Sequence, residues 1–255
     1  MRRAFAVVCL LFAITPKAFA DLSIAAASDL RPALEQILQA WNASHPDSQA
    51  SATYGSSGRF ATQIRNGAPF DLYMSADITY PRALQEEGLT DGEPRTYALG
   101  RLVLWSRSPF PERINELANT EGRIAIARPE HAPYGARARE ALVNLDIWNA
   151  VEPRLVYGES ISHTAQMAQS GAAEFALLAL SLVGAPNQQA PGHWQRIPVG
   201  LHSPLEQALV VTLHGAGKHQ ADQLADYLLG PEAAAVLVDF GFERPPVPGG
   251  IAGQR

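Results

Sequence analysis

Leu22-Ser23-Ile24-Ala25-Ala26-Ala27-Ser28-Asp29-Leu30 is a short apolar run that passes through a small-residue turn into a helical pattern. Leu22 to Ala27 reads as a strand. Beyond it Leu30, Leu34, Ile37, Leu38 and Trp41 recur at helical spacing, which predicts a helix from about Asp29 to Ala43. The same unit repeats outward along the chain. Strand Gln49 to Tyr54 precedes helix Phe60 to Asn66, which Gly67 stops, and strand Asp71 to Ser75 precedes helix Tyr80 to Glu87. From Arg101 the pattern begins again with strands Leu102 to Ser106 and Arg123 to Ala127, then helix Ala136 to Asn144. Strand Leu155 to Tyr157, helix Ser162 to Ser170 and strand Phe175 to Leu180 follow. A last section holds strand Gln207 to Leu213 and helices Lys218 to Leu229 and Pro231 to Asp239. Such alternation implies an α/β fold with mostly parallel sheets covered by helices on both faces. Two such runs imply two lobes. Crossings near residues 101 to 106 and 200 to 207 divide the chain into a discontinuous first lobe, 21–102 plus 206–255, and a second lobe, 103–205.

The N-terminus has basic Arg2 and Arg3, an apolar run from Ala4 to Ile14, and Ala18-Phe19-Ala20 before Asp21. This is the pattern of a secretory signal peptide cleaved after Ala20. The run is too short to span a membrane and is broken by Pro16 and Lys17. Cys9, the only cysteine, leaves with it, so the mature chain relies on its core and not on disulfides. Of 255 residues, 235 remain, and loss of Arg2, Arg3 and Lys17 moves the net charge from −5 to −8. That surface argues against nucleic acid or an anionic membrane as partner. It also requires that any bound anion be held by local donors and dipoles.

In open α/β sheets ligands sit beyond the carboxyl ends of strands, where helix N-termini point at them. Four such turns here carry small or hydroxyl residues: Ala26-Ala27-Ser28-Asp29, Gly55-Ser56-Ser57-Gly58, Ser75-Ala76-Asp77 and Gly158-Glu159-Ser160-Ile161-Ser162. A fifth, Arg128 to Gly135, places Tyr134 just before a helix. Backbone N–H groups at helix starts are unpaired donors with partial positive charge, and serine and tyrosine hydroxyls add donors. Converging in one cleft, they hold a dianion without a counter-charge. Each turn has a plainer reading: Ser28 and Ser162 serve equally well as helix caps, the paired glycines make a tight turn, and Tyr134 is a surface aromatic. By the same reasoning Arg59 is a solvated first-turn arginine, and His131 and His163 are helix-start and surface histidines. Asp29 and Asp77 must point away from a bound dianion, or one of them must accept a proton from it. Phosphate can offer that proton; sulfate and molybdate cannot.

Enzyme motifs fail on spacing. Gly55-Ser56-Ser57-Gly58-Arg59 lacks the second glycine of a nucleophile elbow, and Gly215-Ala216-Gly217-Lys218-His219 lacks the ends of a phosphate-binding loop. No H-E-x-x-H is present, and the mature chain has no cysteine for zinc or catalysis. A serine and a histidine that meet only in space leave a secreted serine hydrolase as an outside reading.

The turns, in this order, resemble the periplasmic molybdate-binding proteins of ABC importers. The likeness runs through Ala25 to Ser28, Tyr54 to Gly58, Gly67-Ala68-Pro69-Phe70-Asp71-Leu72-Tyr73-Met74-Ser75-Ala76-Asp77, Gly100 to Trp105, Pro129 to Gly135 and Gly230 to Ala234. It implies a type II periplasmic binding protein fold that closes on molybdate or tungstate and delivers it to a membrane permease. It also implies a monomer with no cofactor and no catalytic step. The oxyanion would be held by Ser28, Ser57 and Ala76 from the first lobe and Tyr134 and Ile161 from the second. All five would touch the metal only through the anion's oxygens, without direct coordination. Many relatives carry a ligand tyrosine where this chain has Ala179, and Tyr134 would take its place. Sulfate, phosphate or another small anion on the same fold is the alternative.

Overall fold

The computed structural model describes residues 21–109, 114–184 and 192–245, so the expected signal peptide lies outside the described residues. Strand β1 (Leu22–Ala27) leads through a 3₁₀ turn, Ser28–Leu30, into helix α1 (Arg31–Ser44). Then come β2 (Ala50–Gly55), α2 (Ser57–Arg65), β3 (Leu72–Ser75), α3 (Thr79–Glu86) and the long β4 (Thr90–Gly100). These strands form one sheet in the order β2-β1-β3-β10-β4, completed by β10 (Leu205–Thr212). A second sheet is built from β5 (Leu102–Ser106), β6 (Ile124–Ala127), β7 (Leu155–Gly158), β8 (Phe175–Ala179) and β9 (His193–Arg196), ordered β7-β6-β8-β5-β9. Around it lie α4 (Pro133–Asn144), the short α5 (Trp148–Val151) and α6 (Ile161–Ser170), while α7 (His219–Leu229) and α8 (Pro231–Asp239) close the chain.

The sheets are mixed, with two parallel and two antiparallel pairings in each. The parallel half of each is the repeated strand-turn-helix unit; the antiparallel half is β10 with β4 in one sheet and β5 with β9 in the other, and of these β4 and β9 were absent from the sequence reading. β4 contains Gly92 and Pro94 and is largely exposed along its first half. Proline is tolerated there because β4 is an edge strand. β9, His193-Trp194-Gln195-Arg196, is likewise an edge strand with a mostly exposed, polar sequence. Interior strands behave as their composition requires: β1, β3 and β6 are buried at nearly every position because helices cover both faces.

The chain passes from sheet to sheet at Arg101 alone, and returns through residues 197–204. A third segment ties these together. Leu99 and Glu243 exchange two backbone hydrogen bonds at 2.8 and 2.9 Å, and the Glu243 carboxylate accepts from the guanidinium groups of Arg101 and Arg196.

α1 shows how packing fixes these units. Ala33, Leu34, Ile37, Leu38 and Trp41 make its buried face. Trp41 is 1% exposed, stacks on His45 at 3.6 Å between ring centroids, and donates its indole N–H to the Ser48 carbonyl at 2.9 Å. Trp41→Ala should therefore cost about 3–5 kcal/mol in urea unfolding, with fold retained by circular dichroism.

Candidate oxyanion site between the lobes

The five donor positions named from the sequence line one small cavity where the two sheets' carboxyl ends face each other. Ser28, Ser57 and Ala76 come from the first lobe, Tyr134 and Ile161 from the second. Ala27, Asp29, Gly55, Ser56, Ala132 and Pro133 complete its wall, so no cationic side chain is among the lining residues.

Local sequence explains each placement. β2 ends at Gly55, and Ser56 in extended backbone starts α2 at Ser57, so the first N–H groups of that helix open on the cavity end. α4 starts at Pro133, a residue suited to a helix's first turn because its missing N–H is one of the unpaired ones anyway. Gly135 follows Tyr134 because a Cβ there would strike the Ala127 carbonyl at the end of β6. α6 starts at Ile161, capped by the Ser160 hydroxyl, which accepts from the His163 N–H at 3.2 Å. Three helix N-termini thus place partial positive charge at one point.

Hydroxyls in the cavity are already oriented. Ser57 Oγ accepts from the Ala76 N–H at 3.0 Å, which leaves the Ser57 proton for an outside acceptor. Ser28 Oγ accepts from the Ser162 N–H at 3.2 Å, with the same consequence. Tyr134 is 1% exposed, and its hydroxyl accepts from Gln207 Nε2 at 3.3 Å. Burial holds that phenol well above its ordinary pKa, so it stays a donor at all ordinary pH. Gly100 makes room for it, since a Cβ at Gly100 would collide with the Tyr134 hydroxyl.

Several plainer readings are corrected. Ser28 caps no helix: it lies in the 3₁₀ turn, and α1 begins three residues later. Ser162 is not the cap of α6; Ser160 is, while the Ser162 hydroxyl donates across the cleft to the Ser28 carbonyl at 2.8 Å. Tyr134 is a core residue. Arg59 is not simply solvated but pairs with Glu159 of the other lobe. Asp77 does point away, paired with Arg137 at 2.6 Å across the opposite side of the cleft. Ala179 ends β8 fully buried and is absent from the cavity wall.

His131 does sit at a helix start, just before α4, but it is half-buried and faces the other lobe. Its carbonyl accepts from the Gly58 N–H at 2.9 Å and its Nδ1 lies 3.0 Å from Ser56 Oγ, both across the cleft. Burial, then the nearby Arg59, lowers its pKa, so it is neutral at pH 7. Serine and histidine therefore do meet, but Glu159 stands 3.6 Å from His131 Nε2 and is shared by Arg59 and Arg128. The group is a lobe contact and does not complete a nucleophilic triad.

Sequence reasoning missed Gln207. It is fully buried, donates to Asp29 Oδ2 at 2.6 Å and accepts from Tyr97 at 2.8 Å. A signal was present: it is a lone amide in the otherwise apolar interior of β10. Asp29 also differs from one of its two expected roles, for it lines the cavity instead of pointing away.

Comparison with known proteins agrees with this geometry. The family model described as bacterial extracellular solute-binding protein matches residues 22–243. The molybdate-binding protein ModA of Azotobacter vinelandii is 37% identical over 194 residues, covering 74% of this chain and 77% of its own. ModA of Escherichia coli K12 is 27% identical over 250 residues, covering 93% and 96%. Among solved structures, the Azotobacter vinelandii periplasmic molybdate-binding protein superposes with a TM-score of 0.81 at 30% identity, over 88% of this chain and all of that one. The sulfate-binding protein SubI of Mycobacterium tuberculosis shares the fold at a TM-score of 0.76, with 15% identity over 88% and 87%. The chain belongs to the bacterial extracellular solute-binding proteins, within the group of periplasmic molybdate-binding proteins.

Proposed function

We propose that the mature chain captures molybdate or tungstate in the periplasm and hands it, as a monomer and without chemistry, to the permease of an ABC importer. The observation that carries this reading is the convergence of Ser28, Ser57, Ala76, Tyr134 and Ile161 from two lobes on one cavity whose wall has no cation. Dipoles and hydroxyls at fixed positions select by size: a ring of donors set for long metal–oxygen bonds loses contact with a smaller anion. The likeness to molybdate-binding relatives supports the same choice. Sulfate and phosphate are the competing ligands.

Thermal melting separates them. Ligand at 100 times its dissociation constant adds about 2.7 kcal/mol if it binds only the folded state. Molybdate and tungstate should raise the melting temperature strongly and sulfate and phosphate at equal concentration little; equal protection by sulfate would overturn the assignment.

Hydroxyl donation is measured by titration calorimetry. A hydrogen bond to a charged group is worth about 1.5–3 kcal/mol, so Ser57→Ala and Tyr134→Phe should each weaken molybdate binding about ten- to a hundredfold. Ser57→Ala should also lower unliganded stability by about 1–3 kcal/mol, because it leaves the buried Ala76 N–H without an acceptor, whereas Tyr134→Phe should change it little. If Tyr134→Phe binds like the parent, that turn contributes backbone donors only.

Shutting the lobes requires α2 to lie against the His131 loop. A Cβ at Gly58 would stand 2.9 Å from the His131 Cα and carbonyl oxygen, both of the facing lobe. Gly58→Ala should hold the cleft open, visible as a larger radius of gyration by small-angle scattering with saturating molybdate, and should weaken binding without loss of folding stability.

A further inference from the structure

Asp29 lies in the wall of the cavity, 0% exposed, next to the proposed donor Ser28. One carboxylate oxygen, Oδ2, accepts from Gln207 Nε2 at 2.6 Å. The other, Oδ1, is buried and meets no hydrogen-bond partner among the described residues. A buried oxygen without a donor is costly, and a carboxylate beside a dianion is costlier still, since like charges sharing a site cannot both be held there. Resting on the reading above, we propose that Asp29 binds the oxyanion as the neutral carboxylic acid, its Oδ1–H donating to an anion oxygen, so that each molybdate captured brings one proton with it.

The balance is simple. Solvent supplies H⁺ to the Asp29 carboxylate; the O–H bond formed then donates to the dianion, and the complex as a whole carries one negative charge fewer than its separate parts. No other group near Asp29 takes that role. From the elements packed on it, β4 presents Tyr97, β10 presents Gln207, α4 presents Tyr134, and the 3₁₀ turn after β8 presents Ser181, whose hydroxyl donates to the Asp29 carbonyl at 2.9 Å. Both phenols are held well above their ordinary pKa by burial and release no proton near neutrality. Asp29 forms no ion pair among the described residues, and burial pushes its pKa up to about 6, which the Gln207 amide, the nearby Tyr134 hydroxyl and the backbone N–H groups of Asp29 and Leu30 offset only in part. A dianion adjacent to it drives the value higher.

The sign follows. Below about pH 6 the carboxyl is already protonated in the free protein and binding takes up little. Above it, up to the raised value in the complex, binding takes up about one proton and the dissociation constant rises about tenfold per pH unit. Such a site also distinguishes anions: phosphate, which can carry its own proton, would bind without uptake, whereas molybdate would not.

Titration of the full mature chain with sodium molybdate, in buffers of different ionisation enthalpy at pH 7.5, counts the protons. The parent should take up about one per molybdate. Asp29→Asn keeps the Gln207 bond through its amide oxygen and offers an N–H in place of the O–H. It should bind molybdate with almost no uptake, with an affinity flat from pH 6.5 to 8.5 and tighter than the parent's at the upper end. His131→Gln, across the cleft, should retain the uptake per molybdate bound. An infrared difference band of a protonated carboxyl should appear on binding in the parent and be missing in Asp29→Asn, and the parent alone decides the matter if that variant fails to fold. Molybdate binding with no uptake in the parent, or with equal uptake in Asp29→Asn, overturns this inference and leaves the function standing. Failure of molybdate to bind at any pH overturns both.

Discussion

A doubly charged anion buried without a counter-charge must be held by donors that folding has left unpaired, and no single α/β lobe offers enough of them at one point. Each strand-to-helix turn yields a few N–H groups and a hydroxyl. Here the Ser57 hydroxyl, oriented by the Ala76 N–H that donates to its oxygen, is supplied by one lobe and Tyr134 and Ile161 by the other, so the site exists only where two sheets present their carboxyl ends to one another. The rest of the architecture follows from that need. The chain must cross between lobes, and the crossing must bend without letting the two halves separate. At Arg101 a single residue joins the sheets, and Glu243 pairs with Leu99 through the backbone and with Arg101 and Arg196 through its carboxylate.

The cleft rims repeat the logic with full charges. Arg59 with Glu159 and Asp77 with Arg137 bridge the lobes on opposite sides of the cavity. The first pair is half-exposed and is worth little by itself. The second is largely buried, at 14% and 10% exposure, so it is costly to separate once formed. Both keep their charges outside the cavity wall. Asp77 can sit next to Ala76 because Arg137 and the Thr79 N–H and hydroxyl draw its carboxylate away. Asp29 has no such cation among the described residues, and that difference between two aspartates in equivalent turns separates a rim residue from a cavity residue.

What the sequence revealed depended on burial. Strands such as β1, β3 and β6 are mostly apolar because both faces are covered, and their turns could be read because a turn that meets a ligand carries small and hydroxyl residues. β4 and β9 were illegible for the converse reason: as edge strands with exposed residues they carry Gly92, Pro94, His193 and Gln195, and pattern alone does not separate them from loops. Their absence made the sheets look more parallel than they are. Within the site the donors' positions were legible but their partners were not. That Ser28 accepts from Ser162 rather than capping α1, or that His131 faces Ser56, depends on how two lobes meet, which local periodicity does not encode.

Tyr134 shows how far such dependence extends. Ala179, the position at which the family resemblance led one to expect a ligand tyrosine, ends β8 buried and outside the cavity wall. A phenol delivered from α4 instead must travel inward from a helix start, and three residues make that path. Gly135 lets the helix approach β6 closely, Gly100 leaves the space that the hydroxyl occupies, and Gln207 holds its oxygen from the opposite lobe. The same Gln207 amide donates to Asp29, so one residue of β10 orients the phenol and one face of the carboxyl together. Placing a phenol here therefore involves more than placing a donor. It ties Tyr134 and Asp29 to a common support and leaves Oδ1 of that carboxyl buried without a hydrogen-bond partner among the described residues.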